Sequence, residues 1–136
     1  MRLGIAEILE QASKLTKKDE KIDFLRKNYS TALATVLKYA LDPNIVWALP
    51  DGDPPYKKNP YTDQETMLYS EARRLYLFIE GGNPNLTNMK REMLFIGLLE
   101  SIAQKDAELI LAAKNKKIPY KGITANLIEE AFPGLI

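Results

Sequence analysis

Lys114, Lys116, Lys117 and Lys121 fall inside a stretch, Leu109 to Ile128, that holds no acidic residue. Ammonium groups crowded in this way suit a polyanion, and the chain then runs through Gly122-Ile123-Thr124, a glycine break followed by a helix start. The first turn of a helix presents backbone N–H groups without intrahelical partners and a partial positive charge, which favours phosphate. Lysines and turn together read as a cradle for a nucleic-acid backbone. A second reading stands beside it: cations at the end of a helix complement the negative pole of its dipole. Another cluster, Tyr56-Lys57-Lys58-Asn59-Pro60-Tyr61, interleaves tyrosines with lysines. Such rings stack on bases while lysines meet phosphates; alternatively the segment is a proline-rich surface loop with its tyrosines laid on the core. Lys90-Arg91 and Arg73-Arg74 are weaker basic pairs, since every surface helix exposes some charged face.

Residue types exclude much other chemistry. The chain has no cysteine and no histidine, so disulfides, thiol nucleophiles, Cys/His zinc sites and histidine bases are ruled out. The acidic pairs Asp51/Asp53, Asp19/Glu20 and Glu129/Glu130 fall in loops or at solvated helix ends. There they read as turn and cap residues rather than as an acid and a base with separated pKa values. Asp51-Gly52-Asp53 lacks the remainder of a twelve-residue calcium loop, and Gly81-Gly82 close a helix instead of opening one, unlike a phosphate-binding loop. The expectation is a non-enzymatic protein with no cofactor and no metal. With 19 basic and 18 acidic residues the net charge is +1, so any affinity for nucleic acid must come from local clustering.

The elements that must position these groups are helical. Leu3, Ile8, Leu9, Ala12 and Leu15 form one stripe at helical spacing. Thr16 with Asp19 and Glu20 reads as the start of a short second helix. Ser30 or Thr31 caps a third, which ends at Asp42-Pro43 because the residue before proline avoids the helical region. The stretch 42–65 carries five prolines and reads as a long loop, with Ile45, Val46, Trp47 and Leu49 tucked onto the core. Thr62 and Glu65 make a capping box for a fourth helix over about 63–80, stopped at Gly81-Gly82. Thr87 or Asn88 caps a fifth, apolar nearly all round through Met89, Met93, Leu94, Phe95 and Leu98, and therefore expected at the centre of the fold. A sixth runs through Leu109, Ile110 and Ala113, and a last short helix spans Thr124 to Phe132. No strand pattern, repeat or linker interrupts this, and no apolar run approaches the roughly 18–20 residues of a membrane span. The chain reads as a single compact all-α domain over residues 1–136 with about seven helices.

The C-terminal stretch DAELILAAKNKKIPYKGITANLIEEAFPGLI resembles the end of the N-terminal DNA-binding domain of ATP-dependent DNA ligases, especially the phage type. A helix leads to a basic turn at Lys116-Lys117-Ile118 and a glycine at Gly122. A short helix from Thr124 to Ala131 follows and closes with Phe132-Pro133-Gly134-Leu135-Ile136. The chain is also similar to small proteins of large tailed phages. The ligase resemblance implies an all-α domain that grips duplex DNA across the minor groove through backbone contacts, with Lys116, Lys117, Lys121, Gly122 and Thr124 near phosphates. Two features depart from that family: an Arg-Asp pair is usual where Lys116-Lys117 stand, and one extra residue precedes Gly122. The adenylated lysine of a Lys-x-Asp-Gly motif is missing, since Asp51-Gly52 is preceded by Leu49 and Pro50. The chain alone is therefore not expected to join strands.

The first functional expectation is a stand-alone, non-catalytic DNA-binding protein of phage replication, repair or recombination, located in the host cytoplasm. It would take nicked or intact duplex with little sequence preference. The second is a protein-interaction module that keeps the helical scaffold and binds a sliding clamp, a ligase or a host polymerase subunit, with Tyr56 and Tyr61 as its contact. Surface charge separates them. One positive face joining Lys116, Lys117 and Lys121 to Lys57 and Lys58 favours DNA, whereas scattered charge beside an exposed apolar patch favours a protein.

Overall fold

A computed structural model describes residues 3–59 and 67–136. Its elements are α1 (Ile5–Lys14), α2 (Lys18–Lys27), α3 (Thr31–Leu41), α4 (Met67–Glu71), a 3-10 helix (Ala72–Phe78), α5 (Asn88–Ser101), α6 (Gln104–Lys114) and α7 (Ala125–Ala131). The described residues form one compact all-helical unit without a strand. The start signals act largely as their chemistry dictates. Ser30 Oγ accepts the Leu33 N–H at 3.1 Å, Thr87 Oγ1 that of Lys90 at 3.2 Å, and Thr124 Oγ1 that of Leu127 at 3.2 Å. Thr16 does not cap α2: the N-cap is Lys17, which makes no side-chain capping bond. The capping box at Thr62 and Glu65 lies outside the described residues.

The central helix is α6, not α5. It packs on α1, α3 and α5, and Ala107, Leu109, Ile110, Leu111 and Ala113 are all buried. On α5 the residues Phe95, Leu98 and Leu99, with Ile102 just beyond, repeat at intervals of three, four and seven, and they alone suffice to dock the helix. Ile96 is half-buried beside the 49–55 loop, whereas Met89, Met93 and Leu94 stand exposed. The fourth helix also departs from expectation. After Met67–Glu71 the chain tightens to 3-10 geometry, and the buried residues Ala72, Leu75 and Phe78 recur every three positions. That spacing matches three residues per turn. Gly81 then takes φ 82°, and the turn is so tight that a Cβ on Gly82 would lie 1.7 Å from the Tyr76 carbonyl oxygen.

The segment after α3 is pinned at one point. Ala48 N–H donates to Phe78 O at 2.8 Å and Glu80 N–H to Val46 O at 2.7 Å. This short antiparallel pairing drives Trp47 into the core, where its indole N–H reaches Tyr39 O at 3.0 Å. Trp47 and Phe78 both meet Phe95 edge to face, with centroids 6.4 and 5.2 Å apart. Trp47 is the anchor its size suggests, Ile45 and Leu49 are half-buried, and Val46 faces solvent.

Candidate functional site

The lysine-rich corner begins where α6 ends. The Lys116 N–H donates to Ala113 O and the Lys117 N–H to Ala112 O, both at 2.9 Å, the paired bonds of a Schellman turn. The left-handed position of that turn, usually a glycine, is Lys116, with φ 62°. A β-carbon there is unfavourable, and the side chain supplies the offset. Its ammonium donates to Tyr39 O at 2.8 Å, Asp42 O at 2.7 Å and Ile45 O at 2.9 Å. These are carbonyls at and beyond the C-terminus of α3, left without intrahelical partners. Burial holds the ammonium below its ordinary range, and the nearby Asp42 carboxylate partly opposes this. Lys116 is thus the bond between the ends of α3 and α6.

Other cations are used in the same way. The buried Lys114 donates to Gly52 O at 3.0 Å and so ties the long loop to α6. Lys21 Nζ closes the end of α1 through Ala12 O, Ser13 O and Leu15 O at 3.2, 3.1 and 2.6 Å. Arg26 closes α7 through Ala131 O and Glu130 O at 2.9 and 3.0 Å. Buried Arg91 gathers Leu77 O, Leu86 O and Asn83 O with the Asn88 side chain. At an opposite pole, buried Asp106 accepts the Ala6 N–H at 2.9 Å and satisfies the first turn of α1. Sequence reading missed these roles. Its usable signal was a charge set within an apolar stripe: Arg91 four and seven residues before Phe95 and Leu98, and Asp106 three, four and seven before Leu109, Ile110 and Ala113.

Of the lysines in the cradle, Lys117 and Lys121 are exposed and carry no ion pair among the described residues. Gly122 is exposed with φ 85°, and a Cβ there would sit 3.5 Å from Lys21 Nζ. Thr124 serves as the cap of α7. Lys57 and Lys58 are exposed as well, but at the other end of α6. The Lys57 N–H donates to Glu100 Oε2 at 2.8 Å, and Tyr56 OH accepts from Gln104 Nε2 at 3.1 Å. Gln104 opens α6 and Lys114 ends it, a separation of about 15 Å at the helical rise. The two clusters therefore stand at opposite ends of one helix. Tyr56 is half-buried against the core, and Tyr61 lies outside the described residues.

The outward side of α5 is the unusual surface. Met89 is 74% exposed and Met93 67%, with Leu94 at 38%. Beside them a groove of about 270 Å³ runs between α5 and the 3-10 helix, floored by Leu77, Phe78 and Leu98 and rimmed by Glu71 and Arg74. The sequence expectation placed Met89 and Met93 in the core; the structure places them outside because Phe95 and Leu98 hold the opposite face of the same helix against the core.

Among the described residues no group of three potential ligands is arranged to hold a metal ion. No helix among them is long and apolar enough to cross a membrane. Neither the curated proteins nor the solved structures compared with the chain gave a match. Residues 8–120, which include both the α5 face and the Lys116 turn, match one family model, and the chain belongs to that family, the Family of unknown function (DUF6433).

Proposed function

We propose that the domain is a protein-interaction module whose contact surface is the outward face of α5 with its adjoining groove. The observation that carries this reading is the exposure of Met89 and Met93 beside Leu94 on an ordered helix. Methionine is flexible and polarizable, and it is favoured where a surface must adapt to a partner. An apolar surface rimmed by charge marks an interaction site more strongly than isolated apolar residues do. The cationic side supports the same reading by subtraction, since Lys114 and Lys116 direct their ammonium groups at internal carbonyls. The test is capture on immobilised full-length chain. Binding should be lost with Met93→Lys, survive Lys117→Glu/Lys121→Glu, and be insensitive to nuclease. Capture unaffected by Met93→Lys contradicts the proposal.

A second reading rests on Lys117 and Lys121, which stand exposed near the Gly122 turn with no ion pair among the described residues. On that reading the corner holds a backbone phosphate of duplex DNA. With two free ammonium groups, affinity should be weak and fall steeply with salt. Anisotropy at low salt against nicked duplex, intact duplex and single strand tests it. Lys117→Glu/Lys121→Glu should abolish the signal, and unchanged affinity removes these residues from any DNA site.

A further inference from the structure

Four exposed residues of α5, Lys90, Met93, Gly97 and Glu100, lie on one side of the helix. At 100° per residue, Met93, Gly97 and Glu100 fall within one narrow sector and Lys90 borders it. Nothing in the packing of the described residues requires a glycine at position 97. It sits mid-helix without a positive φ, and a Cβ there would meet nothing within 4 Å. Glycine in such a place weakens a helix relative to alanine. What it does provide is a notch in the exposed surface, directly on the groove that Leu94, Leu98 and Ser101 also line.

The order of the four residues is self-complementary. About a point level with Phe95, Met93 mirrors Gly97 and Lys90 mirrors Glu100. In an antiparallel pair of α5 helices related by a two-fold axis, each residue faces its mirror position. The partner's Met93 then lies over Gly97 beside the groove. The partner's Lys90 faces Glu100, whose Oε2 takes the Lys57 N–H. A parallel pair would instead set lysine on lysine and glutamate on glutamate, which repels.

The geometry points to a second copy of this chain as the occupant of the α5 face, docked antiparallel with methionine seated over Gly97. The inference rests on the reading of this face as a protein contact and names its partner. A helix of this length spans about 20 Å, so the interface is at the small end of specific ones and dimerisation is expected in the micromolar range.

Sedimentation velocity on the full chain, from about 5 to about 500 μM to bracket that affinity, should show a concentration-dependent shift from monomer to dimer. Met93→Lys should keep the helical circular-dichroism spectrum and weaken dimerisation at least about tenfold. Lys90→Glu should weaken it too, and Lys90→Glu/Glu100→Lys should recover most of the loss, because the mirror pairs are restored with reversed sign. A chain that stays monomeric throughout overturns the inference, as does a dimer indifferent to Met93→Lys or a double variant no better than Lys90→Glu. Failure here is separable from failure of the broader reading. A monomer whose capture of another protein is lost with Met93→Lys refutes self-pairing alone, and a monomer whose capture ignores Met93→Lys refutes both.

Discussion

At the end of α6 the Lys116 ammonium lies against three backbone carbonyls, whereas on α5 Met89 and Met93 stand with 74% and 67% of their surface exposed. Charge is turned inward in one region and an apolar surface outward in the other. The difference follows from what each helix meets. The last turn of α3 leaves carbonyls without partners beside the turn after α6, and a long cation satisfies several at once. Met89 and Met93 on the outer side of α5 stand largely exposed, where the helical period puts them. In this fold, crowded lysines mark converging helix ends, and the exposed apolar face is the one we propose as a contact.

Substitutions can break the comparison at either end. The largest contrast is within α5. Phe95→Ala should lower unfolding stability by about 3–5 kcal/mol, because it opens a cavity among Trp47 and Phe78. Met93→Ala, two residues away, should change it by less than about 0.5 kcal/mol under monomeric conditions. Urea denaturation reads both. Equal losses would mean that Met93 is a core residue.

Next in size is the corner. Lys116→Met keeps the stem but removes the donors from Tyr39, Asp42 and Ile45, and should cost about 1–3 kcal/mol. Lys117→Met should cost no more than about 0.5 kcal/mol. Lys116→Gly separates backbone from side chain: it relieves the left-handed residue, so any net loss of stability belongs to the ammonium. If Lys116→Gly stabilises the protein, the bond to α3 contributes little.

Smaller effects appear in titrations. The Asn44 N–H, then the Lys38 ammonium, hold the Asp42 carboxyl below its ordinary 3.8. The Lys105 ammonium holds Glu10 below 4.5. A lowered folded value means stabilisation that is complete above the unfolded value and lost as pH falls through the folded one. Acid unfolding should therefore steepen below about pH 4, and Asp42→Asn should flatten that limb. At the alkaline end, burial foremost, and then the charges of Glu10, Asp106 and Glu108, push the Tyr120 hydroxyl up to about 12. Its contribution is present below the ordinary value of 10.0 and lost as pH rises to about 12. Tyrosinate absorbance should show a late step that Tyr120→Phe removes.

Local chemistry made much of the fold legible. The Ser30, Thr87 and Thr124 caps, the Asp42-Pro43 stop and the Trp47 anchor all follow from side chains within a few residues of where they act. Two kinds of feature were not legible. A period alone does not say which side of α5 is covered, since Met93 and Phe95 are both apolar and only the packing of α6 and the 3-10 helix chooses between them. Nor does spacing say where a long cation ends: Lys116 and Lys117 are adjacent and chemically alike, and the left-handed turn at Lys116 sends one toward α3 and leaves the other in water. Arg91 and Asp106 were nearer to being readable, because each interrupts an apolar stripe.

The central claim is that the outward face of α5, and not the lysine corner, meets other macromolecules. Placing a photo-crosslinking residue at position 93 in one sample and at position 121 in another, within the otherwise unchanged chain, tests it most directly. In extract containing both protein and nucleic acid, the account predicts protein adducts from position 93 and no nucleic-acid adduct from position 121. Nucleic-acid adducts from position 121 with none of any kind from position 93 would contradict it.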